Sequence, residues 1–70
     1  MRLSARNQLK GKVIKVEKGA VNGMVTIDIG GGNTITSTIS INSIEELGLE
    51  EGKDAYAVIK ATSVMIGVDD

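Results

Sequence analysis

Apolar β-branched residues alternate with polar ones in three successive stretches of this chain, and short glycine-containing segments separate the stretches. The last stretch, residues 34–41, reads Thr-Ile-Thr-Ser-Thr-Ile-Ser-Ile. A period of two places the apolar side chains on one face of a strand and the polar side chains on the other. The pattern therefore predicts three half-buried strands, at residues 11–18, 24–29 and 34–41.

Two glycine-containing segments lie between these strands. The Asn22-Gly23 pair is a strong turn signal, because both residue types tolerate a positive φ, and it predicts a hairpin between the first two strands. The run of three glycines at residues 30–32 lacks the Gly-x-x-x-x-Gly-Lys-Ser/Thr spacing of a phosphate-binding loop, and no helix pattern follows it. We interpret it as a second hairpin turn.

The hydrophobic period changes after residue 41. Asn42 and Glu45 have the spacing of a capping box, Ile44 and Leu47 share one helical face, and Gly48 is suited to end a helix. This pattern predicts one or two helical turns with Asn42 as the N-cap.

Two further apolar runs, residues 55–60 and 64–68, predict a fourth and a fifth strand, with a polar corner between them. Five short strands with one short helix between the third and the fourth have the order of an OB-like Greek-key barrel. We therefore predict an all-β, five-stranded barrel of this type, with residues 1–70 forming a single domain.

The composition makes a self-sufficient core difficult for a chain of 70 residues. The chain has no cysteine, no histidine and one aromatic residue, Tyr56, although 41% of its residues are apolar. Small domains without disulfides or a metal usually rely on association, so we expect a homo-oligomer. A solitary fold with a thin core is the alternative. The usual zinc and iron ligand sets are missing, so we expect no metal cation bound directly.

Charge and hydropathy argue against several functions. The formal net charge is −1, whereas a nucleic-acid-binding protein needs a basic face and stacking aromatic rings. No apolar run approaches the roughly 20 residues that cross a bilayer, and residues 1–4 do not start a signal peptide, so we predict a soluble, cytoplasmic protein. Without histidine or an evident buried carboxylate pair, general acid–base catalysis is disfavoured and we expect no enzyme.

Two short runs of small, donor-rich residues lie near opposite ends of the chain: Ser-Ala-Arg-Asn-Gln at residues 4–8 and Lys-Ala-Thr-Ser at residues 60–63. They carry hydroxyls, amides and two cations but no carboxylate. An oxyanion accepts hydrogen bonds only, and backbone N–H groups beside Ala5 and Ala61 can be approached closely. The runs can form an anion site if they meet in space; the alternative is a frayed terminus and a polar corner.

The segment Gly-Ala-Val-Asn at residues 19–22 has two interpretations of its own. It is either an ordinary hairpin loop or a loop whose backbone N–H groups point at an anion.

These segments together resemble the molbindins, the Mop-type molybdate-binding domain family formerly called molybdenum-pterin-binding proteins. The resemblance extends over nearly the whole chain. It lies in Ser-Ala-Arg-Asn-Gln-Leu-Lys-Gly at residues 4–11, Lys-Gly-Ala-Val-Asn at 18–22, Glu-Leu-Gly-Leu at 46–49 and Ala-Val-Ile-Lys-Ala-Thr-Ser-Val-Met at 57–65.

The resemblance implies an OB-like five-stranded barrel that assembles as a hexamer, a trimer of dimers. It implies binding of molybdate, with tungstate as an analogue, at subunit interfaces in the cytoplasm, for molybdenum storage or homeostasis. In other members the domain is joined to a DNA-binding or an ATPase domain. This chain has no room for either, so we expect the free-standing form.

The resemblance also implies two types of molybdate site. In the first, one subunit contributes residues 4–6 and a facing subunit contributes residues 60–62. In the second, the loop of residues 19–22 gathers around a symmetry axis. Many relatives have serine in place of Thr62, so the hydroxyl is kept and a methyl group is added. The residues assigned in this way are Ser4, Ala5, Arg6, Lys60, Ala61 and Thr62 for the first type, and Gly19, Ala20, Val21 and Asn22 for the second.

Two other functions stay open at this point. The first is an OB-like interaction module that binds a protein or nucleic-acid partner on its barrel face. The second is a carrier of a molybdenum–pterin cofactor, for which Tyr56 is the only ring available to stack. We expect Tyr56 instead to pack within the structure.

Overall fold

The alternating stretches form one antiparallel sheet of four strands in the computed structural model, which describes residues 1–70. The sheet order is β3-β2-β1-β4, so β3 and β4 are the two edge strands. A single short helix, α1, follows β3. The elements are β1 (Asn7–Lys18), β2 (Asn22–Gly30), β3 (Asn33–Ser40), α1 (Ile41–Glu46) and β4 (Asp54–Ile59).

Strand β1 is shared between two partners, and this sharing curls the sheet. Its first half pairs with β4 from Asn7 to Lys12, and its second half pairs with β2 from Lys12 to Lys18. Gly11 lies beside the changeover, where a Cβ atom would overlap Ile27 Cγ2 and lie 2.5 Å from the Asp28 carbonyl oxygen. Glycine is required here because no side chain fits between the two strands.

The concave side of the sheet carries a thin core. Five hydrophobic residues are buried: Val13, Val25, Ile27, Ala57 and, from α1, Ile44. Val25 and Ile27 are two positions apart on β2, and the residues on either side of them are less buried. The alternation of side chains in β2 therefore places its apolar residues in the core, as predicted.

Tyr56 does not pack within the structure, contrary to our expectation. It is 48% exposed and pairs with Lys10 across the β1–β4 ladder. Its neighbour Ala57 is the buried residue of β4, and since successive side chains alternate between faces, the Tyr56 ring points outward.

The two hairpin turns differ from one another. Between β2 and β3 the three glycines all have positive φ, which confirms the predicted turn. Asn22-Gly23, by contrast, is not a turn: Gly23 pairs with Lys18 and Asn22 pairs with Ser40, both within β2. Gly23 serves packing instead, because a Cβ there would lie 2.6 Å from Ile44 Cδ1.

Helix α1 begins two residues earlier than predicted. Its N-cap is Ser40, whose side-chain oxygen accepts a hydrogen bond from the Ser43 N–H at 3.1 Å, so the prediction of Asn42 as the cap was wrong. The Ile41 N–H donates to the Val21 carbonyl at 2.9 Å, which ties the helix start to the β1–β2 loop. Gly48 has a φ of +61°, as expected for a glycine that follows a helix.

Exchanging Ser40 for alanine tests this assignment. We expect Ser40→Ala to lower the free energy of unfolding by about 1 kcal/mol, because the Ser43 N–H loses its acceptor. Asn42→Ala is the matched control and should change stability by less than about 0.5 kcal/mol. Urea unfolding followed by circular dichroism measures both, and a larger loss for Asn42→Ala would contradict the Ser40 cap.

The predicted fifth strand does not form, so the sheet has four strands instead of five. After β4 the chain makes one turn of 3-10 helix at Ala61–Ser63. The Val64 N–H donates to the Ala61 carbonyl at 3.3 Å, and no backbone hydrogen bond involves a later residue. The apolar pattern of residues 64–68 was identified correctly, but a strand also needs a partner, and within this chain the segment has none. The helices are all too short to cross a membrane.

Candidate functional site

The two donor-rich runs leave the sheet at the same end. Asn7 and Ile59 form the terminal pair of the β1–β4 ladder. Arg6 directly precedes Asn7 and Lys60 directly follows Ile59, so the two cations emerge from neighbouring strands. The antiparallel register therefore brings together two runs that are more than fifty positions apart in sequence.

Two side-chain amides hold this end in place. The Asn7 amide donates to the Ile59 carbonyl at 3.3 Å, and the Gln8 amide donates to the Ala5 carbonyl at 3.1 Å. The first bond crosses from β1 to β4, and the second restrains the segment before β1. Sequence reasoning placed both residues in the donor-rich run without assigning them this role.

Backbone donors at this end are unpaired. In the 3-10 turn the Ser63 N–H donates to the Lys60 carbonyl at 2.9 Å, whereas the N–H groups of Ala61 and Thr62 have no acceptor within the chain. The same holds for the N–H groups of residues 4–6. Five of the six residues assigned to the first site type are exposed, and Ala5 is half-buried. The arrangement offers amides, hydroxyls and two cations to an acceptor.

The cations of this end are not neutralised within the chain. The two ion pairs of the structure lie elsewhere: Lys12 with Asp54 at 3.0 Å and Lys15 with Glu17 at 2.8 Å. The hydrogen bond from Lys12 and its positive charge lower the pKa of Asp54, and Glu17 raises the pKa of Lys15 in the same way. Arg6 and Lys60 form no such pair, so their charges remain available to an external anion.

The loop assigned to the second site type lies at the other end of β1. The Gly19 N–H donates to the Asn22 carbonyl at 2.9 Å, and the Val21 carbonyl accepts from Ile41. The N–H groups of Ala20 and Val21 have no acceptor within the chain, and both residues are exposed. A Cβ at Gly19 would lie 2.9 Å from the Asn22 carbonyl oxygen, so this closed loop favours glycine.

An open depression of about 390 Å³ adjoins this loop. Besides Gly19 and Asn22 it is lined by Lys18 and Thr38, which the sequence analysis did not assign to a site. Lys18 directly precedes the loop, so the sequence alone shows a cation next to it. Thr38 comes from β3, and nothing in its local sequence indicates this position. Glu17 also lines the depression, and its carboxylate is paired with Lys15.

The two sets of donors are too far apart to share one ligand within a chain. They flank β1, which has 12 residues. At about 3.3 Å per residue an extended strand of this length spans about 36 Å. Any ligands at the two ends therefore occupy separate sites.

Comparison with other proteins identifies relatives over nearly the whole chain. The family described as the TOBE domain matches residues 3–66. A protein of Haemophilus influenzae described as a probable molybdenum-pterin-binding protein is 64% identical over 69 residues, which are 99% of this chain and 100% of that protein.

Two solved structures share the fold. MopII from Clostridium pasteurianum, in an apo form, is 55% identical with a TM-score of 0.89, and the match covers 96% of this chain and 100% of that one. ModG, described as a cytoplasmic molybdate-binding protein and solved with molybdate bound, is 51% identical with a TM-score of 0.92. That match covers 99% of this chain and 49% of the ModG chain.

Proposed function

Because this chain belongs to the TOBE-domain family and, within it, to the Mop-type molybdate-binding proteins, we propose that it binds molybdate at sites between subunits of a homo-oligomer. The observation that carries the proposal is the pair of donor-rich runs flanking the Asn7–Ile59 pair at one end of the sheet. Similar proteins are described as molybdate- or molybdenum-pterin-binding, and this supports the choice of ligand.

The chemistry of the first site type suits a tetrahedral oxyanion. Molybdate is a dianion without hydrogen-bond donors at neutral pH, so its ligands must be donors and cations. Ser4 and Thr62 supply hydroxyls, Ala5 and Ala61 supply backbone N–H groups without bulky side chains, and Arg6 and Lys60 supply charge. Hydrogen bonds to charged groups are shorter and stronger than neutral ones.

In the proposed assembly residues 4–6 of one subunit face residues 60–62 of another. In a single chain these donors are exposed, so water competes for every one of them. A facing subunit excludes that water and strengthens each electrostatic contact. An anion bound in this way also links two subunits and stabilises the assembly by mass action.

The second site type is proposed at the loop of residues 19–22. Its free N–H groups lie at an exposed tip, and several copies around a symmetry axis would direct their donors to one point. The Gly19–Asn22 hydrogen bond holds the loop closed without occupying the N–H groups of Ala20 and Val21. The proposed assembly is a hexamer arranged as a trimer of dimers.

The cellular role we propose is molybdenum storage or homeostasis in the cytoplasm, without catalysis. ModG, the similar protein solved with molybdate, is described as cytoplasmic. Tungstate is expected to bind as an analogue because it has the same charge and shape as molybdate. Sulfate shares both but is smaller, so discrimination against it must come mainly from the size of the pocket.

Calorimetric titration tests this function. Purified protein titrated with molybdate in a constant excess of sulfate should give a saturable heat, and tungstate should compete for the same sites. Titration with sulfate alone is the control and should give no saturable heat at the same concentrations. The absence of a saturable molybdate signal would overturn the proposed function.

A further inference from the structure

The segment before β1 is held to the sheet by one side chain. Residues 1–6 make no backbone hydrogen bond, and the bond from the Gln8 amide to the Ala5 carbonyl, at 3.1 Å, is the only hydrogen bond that involves them. Gln8 itself lies within β1, where it pairs with Val58 of β4. A residue of the sheet therefore restrains a segment that is otherwise free of hydrogen bonds.

The position of this bond decides which donor is held. The Ala5 carbonyl and the Arg6 N–H belong to the same peptide group, and no peptide group of the chain is cis. In a planar trans peptide the N–H points opposite to the carbonyl, so the bond turns the Arg6 N–H away from the Gln8 amide. This N–H has no acceptor within the chain. A hydrogen bond accepted by the carbonyl also polarises the peptide group, which strengthens its N–H as a donor.

Asn7 holds the corresponding peptide group on the neighbouring strand. Its amide donates to the Ile59 carbonyl at 3.3 Å, and that carbonyl shares a peptide group with the Lys60 N–H. The Lys60 N–H therefore points away from β1, toward the open edge of β4, and it also has no acceptor. Asn7 and Ile59 form the last pair of the ladder, where a strand end opens most readily. The side-chain bond reinforces the sheet at the point where residues 60–62 begin.

We propose that Gln8 and Asn7 are positioning residues for the first site type, each acting through the backbone N–H of one cation. Gln8 orients the Arg6 N–H, and Asn7 orients the Lys60 N–H. In this role neither amide contacts the anion, because each donates to a carbonyl of its own chain. The inference rests on the proposed function, since it assumes that residues 4–6 and 60–62 bind an anion, and it identifies what orders their donors beforehand.

Ordering before binding has a measurable effect on affinity. A backbone residue that is mobile in the free protein must be ordered when the anion binds, and this ordering lowers the affinity by about 5- to 30-fold per residue. Loss of one amide releases one peptide group and leaves the rest of the sheet paired. We therefore expect the lower end of that range, about fivefold, for removal of either amide.

Two substitutions, Gln8→Met and Asn7→Leu, each remove one amide and nearly keep the size of the side chain. Asn33→Leu is the matched control, because Asn33 is the first residue of β3, is exposed and forms no side-chain hydrogen bond. Calorimetric titration with molybdate should show about fivefold weaker binding for each of the first two variants and a change of less than about twofold for the control, at unchanged native mass. Unchanged affinity in both Gln8→Met and Asn7→Leu would overturn the proposal.

Nitrogen-15 relaxation of the ligand-free protein gives a readout that a general loss of stability would not produce. The backbone order parameter of Arg6 should fall by about 0.2, toward the values of flexible backbone, in Gln8→Met and stay the same in Asn7→Leu. The order parameter of Lys60 should show the reverse. Order parameters that are unchanged at both residues, or that fall equally at both in either variant, would contradict the assigned roles.

The same experiments separate this inference from the proposed function. If the unsubstituted protein binds molybdate and neither variant binds it more weakly, the positioning role alone fails and the proposed function stands. If the unsubstituted protein gives no saturable heat with molybdate, the proposed function fails, and the positioning role fails with it.

Discussion

Replacement of Lys60 by alanine is expected to weaken molybdate binding about 10- to 150-fold. Lys60 directly follows the last residue of β4, forms no ion pair within the chain and lies beside the unpaired N–H groups of Ala61 and Thr62. A hydrogen bond to a charged group contributes about 1.5–3 kcal/mol, which corresponds to that range of dissociation constants. Removing the ammonium group leaves the other donors in place, so binding should weaken without being abolished.

Calorimetry at constant ionic strength measures the effect, and Lys53→Ala is the matched control. Lys53 directly precedes β4 and Lys60 directly follows it, so the two lysines lie at opposite ends of the same strand. Lys53→Ala should change the dissociation constant less than about twofold. If Lys60→Ala has the same native mass as the unsubstituted protein and also the same affinity for molybdate, Lys60 does not belong to the site.

Replacement of Gly11 by alanine is expected to destabilise the fold by about 3 kcal/mol, at the upper end of the usual cost of overpacking. The added methyl group would overlap Ile27 Cγ2 and lie 2.5 Å from the Asp28 carbonyl oxygen. Since the second of these atoms belongs to the backbone, β1 and β2 must separate locally. A domain of this size has a total stability of about 4–10 kcal/mol, so the loss is a large fraction of it.

Thermal and urea unfolding of Gly11→Ala measure this loss, with Gly67→Ala as the control. A Cβ at Gly67 meets no atom within 4 Å. The control should unfold within about 0.5 kcal/mol of the unsubstituted protein. Equal stability of Gly11→Ala and the unsubstituted protein would show that β1 and β2 have room for the methyl group.

The strands could be predicted well where their side chains alternate. β2, β3 and β4 were each predicted to within about two residues, because the period of two is a local property of the sequence. The first four residues of β1 were missed, since Asn-Gln-Leu-Lys shows no such alternation. They become a strand by pairing with β4, from Asn7 opposite Ile59 to Lys10 opposite Tyr56.

The helix start and the first hairpin could not be read from residue preferences alone. Asn42 has a favoured capping residue type and spacing, yet Ser40 caps α1 because β3 ends there and Ile41 bonds to Val21. Asn22-Gly23 has a favoured turn sequence, yet Gly23 enters β2 because it pairs with Lys18 on β1 and with Ile39 on β3. In both cases a contact between distant residues outweighed a local preference.

The donor chemistry of the candidate site was evident in the sequence, and its geometry was not. Residues 4–6 and 60–62 carry hydroxyls, small side chains and cations, and these properties belong to the residues themselves. The proximity of the two runs follows from the β1–β4 register alone. The resemblance to the molbindins suggested how the runs are used across subunits.

By itself, the sequence determined the β-strand character of the chain, the glycine turn after β2 and the hydrogen-bond donors and cations carried by its two donor-rich runs. Each of these depends on side-chain type and on spacing between near neighbours. Only the tertiary structure decided that both runs leave one end of one sheet and that residues 64–68 have no partner within the chain. The reason is that strand pairing joins residues far apart in sequence, so an alternating pattern becomes a strand only where the path of the chain brings it beside the edge of another strand.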